Sequence, residues 1–302
     1  MSVVISVVIG YVLDMIIGTP KILKKGKLLI LKELKNFYRK ISGSLAIFVT
    51  IFIIAFSGAI VYGIIYFVEY YNMIASIMLQ SIICYFCISC KLIKTSAESV
   101  HKALKRGYIK NATRLFNKIT EKGQTDEPKE IAENIIVMIM DSSIDKVIAP
   151  IFFIMLFGGT GGVVYKVLVL INDATGNIIA RILKNIAELI PTRVAIIFML
   201  VSAKVLKLNC KSGLKILNRD RYNVSSINRG LPLAFCAGAL GIQLKSKKTG
   251  VIIGDAKRDV NYNDIIKSFE LINIASLLTL VGLVVIRLIF VLYVYTNFRL
   301  IE

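Results

Sequence analysis

Long uncharged stretches set the pattern of this chain. Residues 44–68 contain no Asp, Glu, Lys or Arg, nor do residues 70–90, and only Glu69 separates the two runs. A hydrocarbon core about 30 Å thick needs roughly 20 helical residues at about 1.5 Å each, so either run is long enough to cross. Weaker apolar runs cover 3–17, 147–171, 189–206, 230–244 and 271–295. Lys166, Arg193 and Arg287 interrupt three of them, and 230–244 is short. A cation at mid-bilayer costs about 2.5–3.5 kcal/mol on insertion scales, so each of these three snorkels, faces protein interior or belongs to a site. The pattern predicts membrane stretches at 3–18, 44–68, 70–91, 147–171, 189–206 and 271–296 within a single domain spanning 1–302.

Between the apolar runs lie polar segments whose charge is lopsided. Segments 19–43, 94–146, 206–229 and 245–270 hold 30 of the 38 Lys and Arg, which assigns them to the cytoplasmic side by the positive-inside rule. The turn at Glu69 carries few cations and is expected outside; residues 172–187 carry few as well, which by charge alone would put them outside if 147–171 crosses. Segment 94–146 opens with Ala97, Val100, Leu104, Tyr108, Ala112, Leu115 and Ile119 recurring every three to four residues. That is the signature of an amphipathic helix, packed on other cytoplasmic parts or lying on the bilayer. Lys207, Lys211 and Lys215 fall four apart and share one face if the segment is helical. Such a stripe suits anionic headgroups or a phosphorylated substrate, or simply fixes orientation.

Composition agrees with this reading. Of 302 residues, 56% are hydrophobic and 19% charged, and the mean hydropathy is +0.72. Soluble domains are about 45–50% apolar with about 25% charged residues. No lysine precedes Lys21, so 3–17 lacks a positive n-region and is expected as retained structure rather than a signal peptide. The expected fold is all-α: a polytopic integral membrane bundle with cytoplasmic amphipathic helices and re-entrant half-helices.

Catalytic templates are sparse. There is no phosphate-binding G-x-x-x-x-G-K-[ST] loop, no G-x-G-x-x-G in a strand–helix setting, no H-E-x-x-H and no G-x-S-x-G. Five cysteines give no disulfide framework. The C-x2-C-x2-C run of Cys84, Cys87 and Cys90 lies in an uncharged helix with no fourth cysteine nearby, which makes it ordinary helix sequence rather than cluster ligation. His101, the sole histidine, has no second ligand beside it. Gly158, Gly159, Gly161 and Gly162 interrupt an apolar stretch, either for close helix packing or as a break between half-helices that dip in and return. The return is the expected form, because it brings Asp145 and Asp173 to one side. The remaining polar groups end apolar stretches: Asp14, then Asp141, Ser142, Ser143 and Asp145, then Asp173. Carboxylates so placed cap helices, hold Mg²⁺ or accept a proton from an attacking amine.

Gly10-Tyr11-Val12-Leu13-Asp14, continuing to Gly18-Thr19-Pro20, resembles the opening G-Y-L-L-D-x-x-x-G-D-P of the CobD/CbiB family, the adenosylcobinamide-phosphate synthases of cobalamin biosynthesis. Asp141-Ser142-Ser143-Ile144-Asp145-Lys146, running to Ala149-Pro150, is similar to that family's E-N-T-x-D-G-x-x-A-P. Asn228-Arg229-Gly230-Leu231-Pro232, Ala237-Gly238-Ala239-Leu240-Gly241-Ile242-Gln243-Leu244 and Gly254-Asp255 resemble its N-x-G-x-P, A-G-A-L-G-x-Q-L and G-D landmarks, in order. There are departures. Thr19 replaces an Asp, Lys24 and Lys25 stand in a His-Pro region, and Asp141, Ser142 and Lys146 replace Glu, Asn and Gly. A Tyr/Arg/Asn-rich stretch is largely missing between Gly176 and Pro191.

The resemblance implies a cytoplasmic-membrane enzyme that joins a carboxylate of adenosylcobyric acid to an aminopropanol or its phosphate, with ATP and Mg²⁺. It implies Asp141 and Asp145 as catalytic and metal-binding residues, and Asp14, Ser142, Ser143, Asp173, Asn228 and Asp255 as substrate-binding residues. Membrane lipid and other late cobalamin enzymes are expected partners; nucleic acid is not. The rival reading is a non-catalytic paralogue serving as a membrane partner or sensor. A small anion carrier would show inverted repeats, and no internal repeat is present.

Overall fold

The computed structural model describes residues 2–41, 43–120, 125, 127–224, 226–245 and 252–299. Residues 121–124, 126 and 246–251, parts of the basic segments 94–146 and 245–270, lie outside the described residues, as do the side chains of Lys24 and Lys25. In chain order the helices are α1 (Ser2–Ile16), α2 (Lys21–Arg39), α3 (Ser44–Tyr71), α4 (Met73–Cys87), α5 (Cys90–Lys105), α6 (Ile109–Thr120) and α7 (Pro128–Ser143). After a π-helical turn at Ile144–Ile148 follow α8 (Ala149–Thr175), α9 (Ile178–Ala187), α10 (Leu189–Val205), α11 (Cys210–Asp220) and α12 (Ile227–Leu240). Strands β1 (Leu244–Lys245) and β2 (Ile252–Ile253) pair antiparallel, and α13 (Tyr262–Arg299) closes the chain.

Ser44–Tyr71, Met73–Lys105, Pro128–Thr175 and Tyr262–Val294 are long and apolar enough to cross a membrane; α9 and α10 together make a fifth if counted as one bent span. Only 11% of the apolar windows of α3 and α13 is buried, and Phe48, Phe52, Phe56, Ile286, Ile289 and Phe290 stand outward. Large apolar faces of this kind on helices without polar faces belong in lipid. The protein is an all-α polytopic membrane bundle.

Within 1–302 the contacts cluster into two compact units. The first comprises 1–91, 145–188 and 280–302; the second comprises 92–144 and 189–279. In the first, α1 crosses α4 so closely that a Cβ on Gly10 would lie 2.5 Å from the Cys84 Cβ. Cys84, Cys87 and Cys90 are buried thiols, used as packing. Helix α3 does not stop at Glu69 but runs on to Tyr71; the break falls at Asn72, whose side chain accepts from the N–H groups of Ile74 and Ala75 and starts α4. A capping residue, not a charge, ends the run.

Helix α8 folds back on itself. Its backbone leaves helical geometry at Phe157 and Gly158, where Gly158 has φ +67 and ψ −161, a region essentially reserved for glycine. The Phe153 and Tyr165 rings then stack with centroids 5.1 Å apart, although twelve residues of straight helix would separate them by about 18 Å. A Cβ on Gly161 would meet the Phe153 carbonyl oxygen at 2.4 Å. The glycines therefore serve both a turn and a close antiparallel approach, and 149–175 is a hairpin rather than a straight span. Lys166 on the returning half points inward, donating to the Cys87 carbonyl oxygen at 3.0 Å.

In the second unit α12 packs on α11, α10 and α7, and its run 231–240 is buried throughout, so the short apolar stretch at 230–244 is a protein core. The amphipathic helix expected from 97 onward is two helices, because Gly107 (φ +73) ends α5. Tyr108 falls in the break and is exposed, while Phe116 is buried. The lysine stripe is broken too: Lys207 has φ +54 and precedes α11, leaving only Lys211 and Lys215 on that helix. His101 is structural, its Nδ1 lying 2.9 Å from the Tyr262 carbonyl oxygen.

Candidate functional site

In the first unit Asp14 and Asp145 are both held by identifiable partners. Asp14 is 1% exposed, and its Oδ2 accepts from the N–H groups of Cys90 at 2.6 Å and Lys91 at 3.1 Å. That is a cap on the first turn of α5. Its Oδ1 has no hydrogen-bond partner among the described residues. Asp145 lies on the π-helical turn, where Lys184 Nζ reaches its Oδ2 at 2.8 Å. The same ammonium lies 3.2 Å from Glu188 Oε1, and the Tyr165 hydroxyl donates to that oxygen at 2.9 Å. Glu188 is 1% exposed and Lys184 is buried. Asp173 is exposed near the end of the returning half of α8 and lies within electrostatic reach of Tyr165, as Asp145 and Glu188 do. The hairpin thus brings Asp145 and Asp173 toward one residue.

The second unit gathers polar groups at the start of α12. Arg229 Nη2 donates to Asp141 Oδ2 at 2.6 Å. Next to it, the buried Asn228 accepts from Arg193 Nη1 at 3.3 Å, and Arg193 also donates to the Leu189 carbonyl oxygen. Arg193 is therefore a cation of an apolar stretch that turns to protein. Gly230 lets α12 approach the end of α11, since a Cβ there would lie 2.1 Å from the Arg221 carbonyl oxygen. At that end Arg219 holds Asp220 through Nε at 2.6 Å and Nη2 at 2.9 Å, and reaches Asp255 through Nη1 at 2.8 Å. The Gly254 N–H completes the group, donating to Asp220 Oδ2 at 2.7 Å. The Arg219 guanidinium keeps the Asp220 carboxyl below the usual aspartate range.

Of the expected site residues, Asp141, Asn228 and Asp255 join these clusters. Ser142 and Ser143 are buried, and the Ser143 hydroxyl donates to the Ile139 carbonyl oxygen at 2.7 Å. Its proton is spent inside its own helix, as serine's often is one turn on. Sequence reasoning missed Lys184, Glu188, Arg229 and Arg219. The four-residue spacing of Lys184 and Glu188 was an available signal; nothing local marks Arg229.

Chemically, two arginine forks and an amide beside the first turn of α12 suit a phosphate or carboxylate. A resident Mg²⁺ does not fit. Asp141 and Asp145 each face a cation, and among the described residues no group of three or more His, Cys, Asp or Glu is placed to hold a metal ion. Magnesium carried by a nucleotide would need only one or two carboxylates beside the phosphates.

Residues 7–281 match the family model described as CobD/Cbib protein. Cobalamin biosynthesis protein CobD of Clostridium perfringens is 31% identical over 94% of this chain and 98% of its own length. Cobalamin biosynthesis protein CbiB of Salmonella typhimurium is 29% identical over 53% of this chain and 56% of its own. Cobalamin biosynthesis protein CobD of Citrobacter koseri is 26% identical over 65% and 67% respectively. No solved structure matches the chain.

Proposed function

The chain belongs to the CobD/CbiB family, and on that premise we propose that it is a synthetase of cobalamin assembly in the cytoplasmic membrane. It joins a carboxylate of adenosylcobyric acid to the amine of an aminopropanol or its phosphate, with MgATP as co-substrate. Amide formation needs the acid activated by a phosphoryl group, after which the amine attacks the acyl carbon, phosphate leaves and the amine gives up a proton. Holding the amine in place is the larger part of the catalysis. The 30 cations in four polar segments set the chemistry on the cytoplasmic face.

The observation that carries this reading is the Arg229–Asp141 pair at the start of α12, with Asn228 and Arg193 beside it. Arg229 and Arg193 bind phosphate oxygens, and Asp141 keeps Arg229 aimed until substrate arrives. Asp145, held by Lys184 in the first unit, is assigned to the reaction by the family resemblance alone. The assay is growth of a cobalamin auxotroph that lacks its own synthetase and is supplied with cobyric acid. The wild-type chain should restore growth, whereas Arg229→Gln and Asp145→Asn, present at normal membrane levels, should not. Equal rescue by both variants would show that the site lies elsewhere. If the wild-type chain fails too, the non-catalytic paralogue takes over.

A further inference from the structure

We infer that α2 is an interfacial helix that binds anionic phospholipid headgroups beside the start of α3. The inference does not depend on the proposed reaction. Segment 19–43 holds eight Lys and Arg against the single acid Glu33. One stripe of α2, Leu34 and Tyr38, packs on the core around Leu168 and Ile171, and the Tyr38 hydroxyl lies 2.9 Å from Thr50 Oγ1. Ile30 and Phe37, seven residues apart and so on one neighbouring stripe, remain 50% and 46% exposed. Lys32, Lys35 and Arg39, spaced by three and four, are exposed on the opposite side, with Leu28 a turn earlier on that side and Leu29 between the two faces, 61% and 63% exposed.

The helix is thus docked by one stripe, apolar on the shoulder beside it and cationic beyond. A basic helix with a separate apolar face and low net hydrophobicity lies in the headgroup plane with that face dipped toward the acyl chains. Chain connectivity identifies the occupant. Helix α2 ends at Arg39 and α3 begins at Ser44, so the C-terminal end of α2 is tied within a few residues to a helix whose outer surface is apolar and exposed. Exposed lysines and arginines beside a bilayer surface are attracted to anionic lipid in particular.

The chain contains no tryptophan, so Phe37→Trp and Asn36→Trp each install a single fluorescent reporter in the full-length protein. In vesicles containing about 30% phosphatidylglycerol, the Phe37→Trp reporter should be quenched by acyl-brominated lipid and shielded from acrylamide. Asn36→Trp should behave the opposite way. Replacing phosphatidylglycerol by phosphatidylcholine, or combining Phe37→Trp with Lys32→Glu, Lys35→Glu and Arg39→Glu, should cut the bromolipid quenching by roughly half or more. An unchanged thermal midpoint serves as the control for folding. Acrylamide access at Phe37→Trp without bromolipid quenching overturns the interfacial placement. Protection from both quenchers also overturns it, in favour of a protein partner. Quenching that ignores lipid charge and charge reversal alike overturns the anionic headgroup assignment.

Discussion

Replacing Lys184 by Met tests whether a buried charge group holds the first unit together. The methionine keeps most of the apolar stem, so charge is the main loss. Lys184 lies 2.8 Å from Asp145 and 3.2 Å from Glu188, and Glu188 is 1% exposed. Removing one partner of a buried ion pair costs about 3–5 kcal/mol, because the other charge stays behind uncompensated. In a chain of this size about 1 kcal/mol moves the thermal midpoint by about 2–4 °C, which puts the expected drop at roughly 6–20 °C. A thiol-reactive dye suits the measurement in detergent, since Cys84, Cys87 and Cys236 are thiols buried until the protein opens. Adding Glu188→Gln to Lys184→Met should recover more than half of the loss: the amide oxygen still accepts from Tyr165, and of the two carboxylates left without Lys184 the more buried is neutral, leaving only the better exposed Asp145 charged. A single variant that melts within about 2 °C of wild type, or a double variant no better than the single, would refute the reasoning.

Gly158→Ala should cost about 1–3 kcal/mol, the usual penalty for forcing a side chain into a backbone region reserved for glycine, and the same dye assay would read it as a lowered midpoint. Cysteine labelling of intact cells should reach Tyr70→Cys from outside and miss Asp173→Cys, because the α8 hairpin returns its second half to the side it left; strong labelling at 173 would mean that 149–175 crosses. The third concerns acid. Asp220 is held below the ordinary aspartate value of 3.8 by Arg219, so its contribution to stability is complete above that value and is lost as pH falls from there through the folded value. Thermal midpoints followed below pH 4 should fall less steeply in Asp220→Asn than in wild type, and parallel curves would show that the carboxylate does not drive the acid loss.

What the chain discloses by inspection follows from which forces are local. Lipid solvation acts on each residue of α3 separately, so its composition alone marks it as a membrane helix. The break falls at Asn72 rather than at Glu69, because a helix boundary depends on one capping side chain and the conspicuous charge lies a turn earlier. The glycines at 158–162 announced a break, but whether the chain returns is decided by Phe153 meeting Tyr165 and by Lys166 finding the Cys87 carbonyl oxygen. Asp141 and Asp145 stood out as polar positions at the end of an apolar run. Their partners, Arg229 at 88 residues and Lys184 at 39, are brought in only by tertiary packing. The Ser143 hydroxyl proton, by contrast, is claimed locally by the Ile139 carbonyl oxygen.

The fold-back in α8 also fixes a matter of parity. Sidedness along a membrane chain alternates with every crossing, so one miscounted helix inverts everything downstream. Segments 94–146 and 206–229 are both strongly basic; if they share a face, as the positive-inside rule expects, the number of crossings between them is even. A hairpin contributes none. With α8 a hairpin, residues 178–205 must add an even number as well; the alternative that keeps both basic segments on one face is a chain in which α8 and 178–205 each cross once.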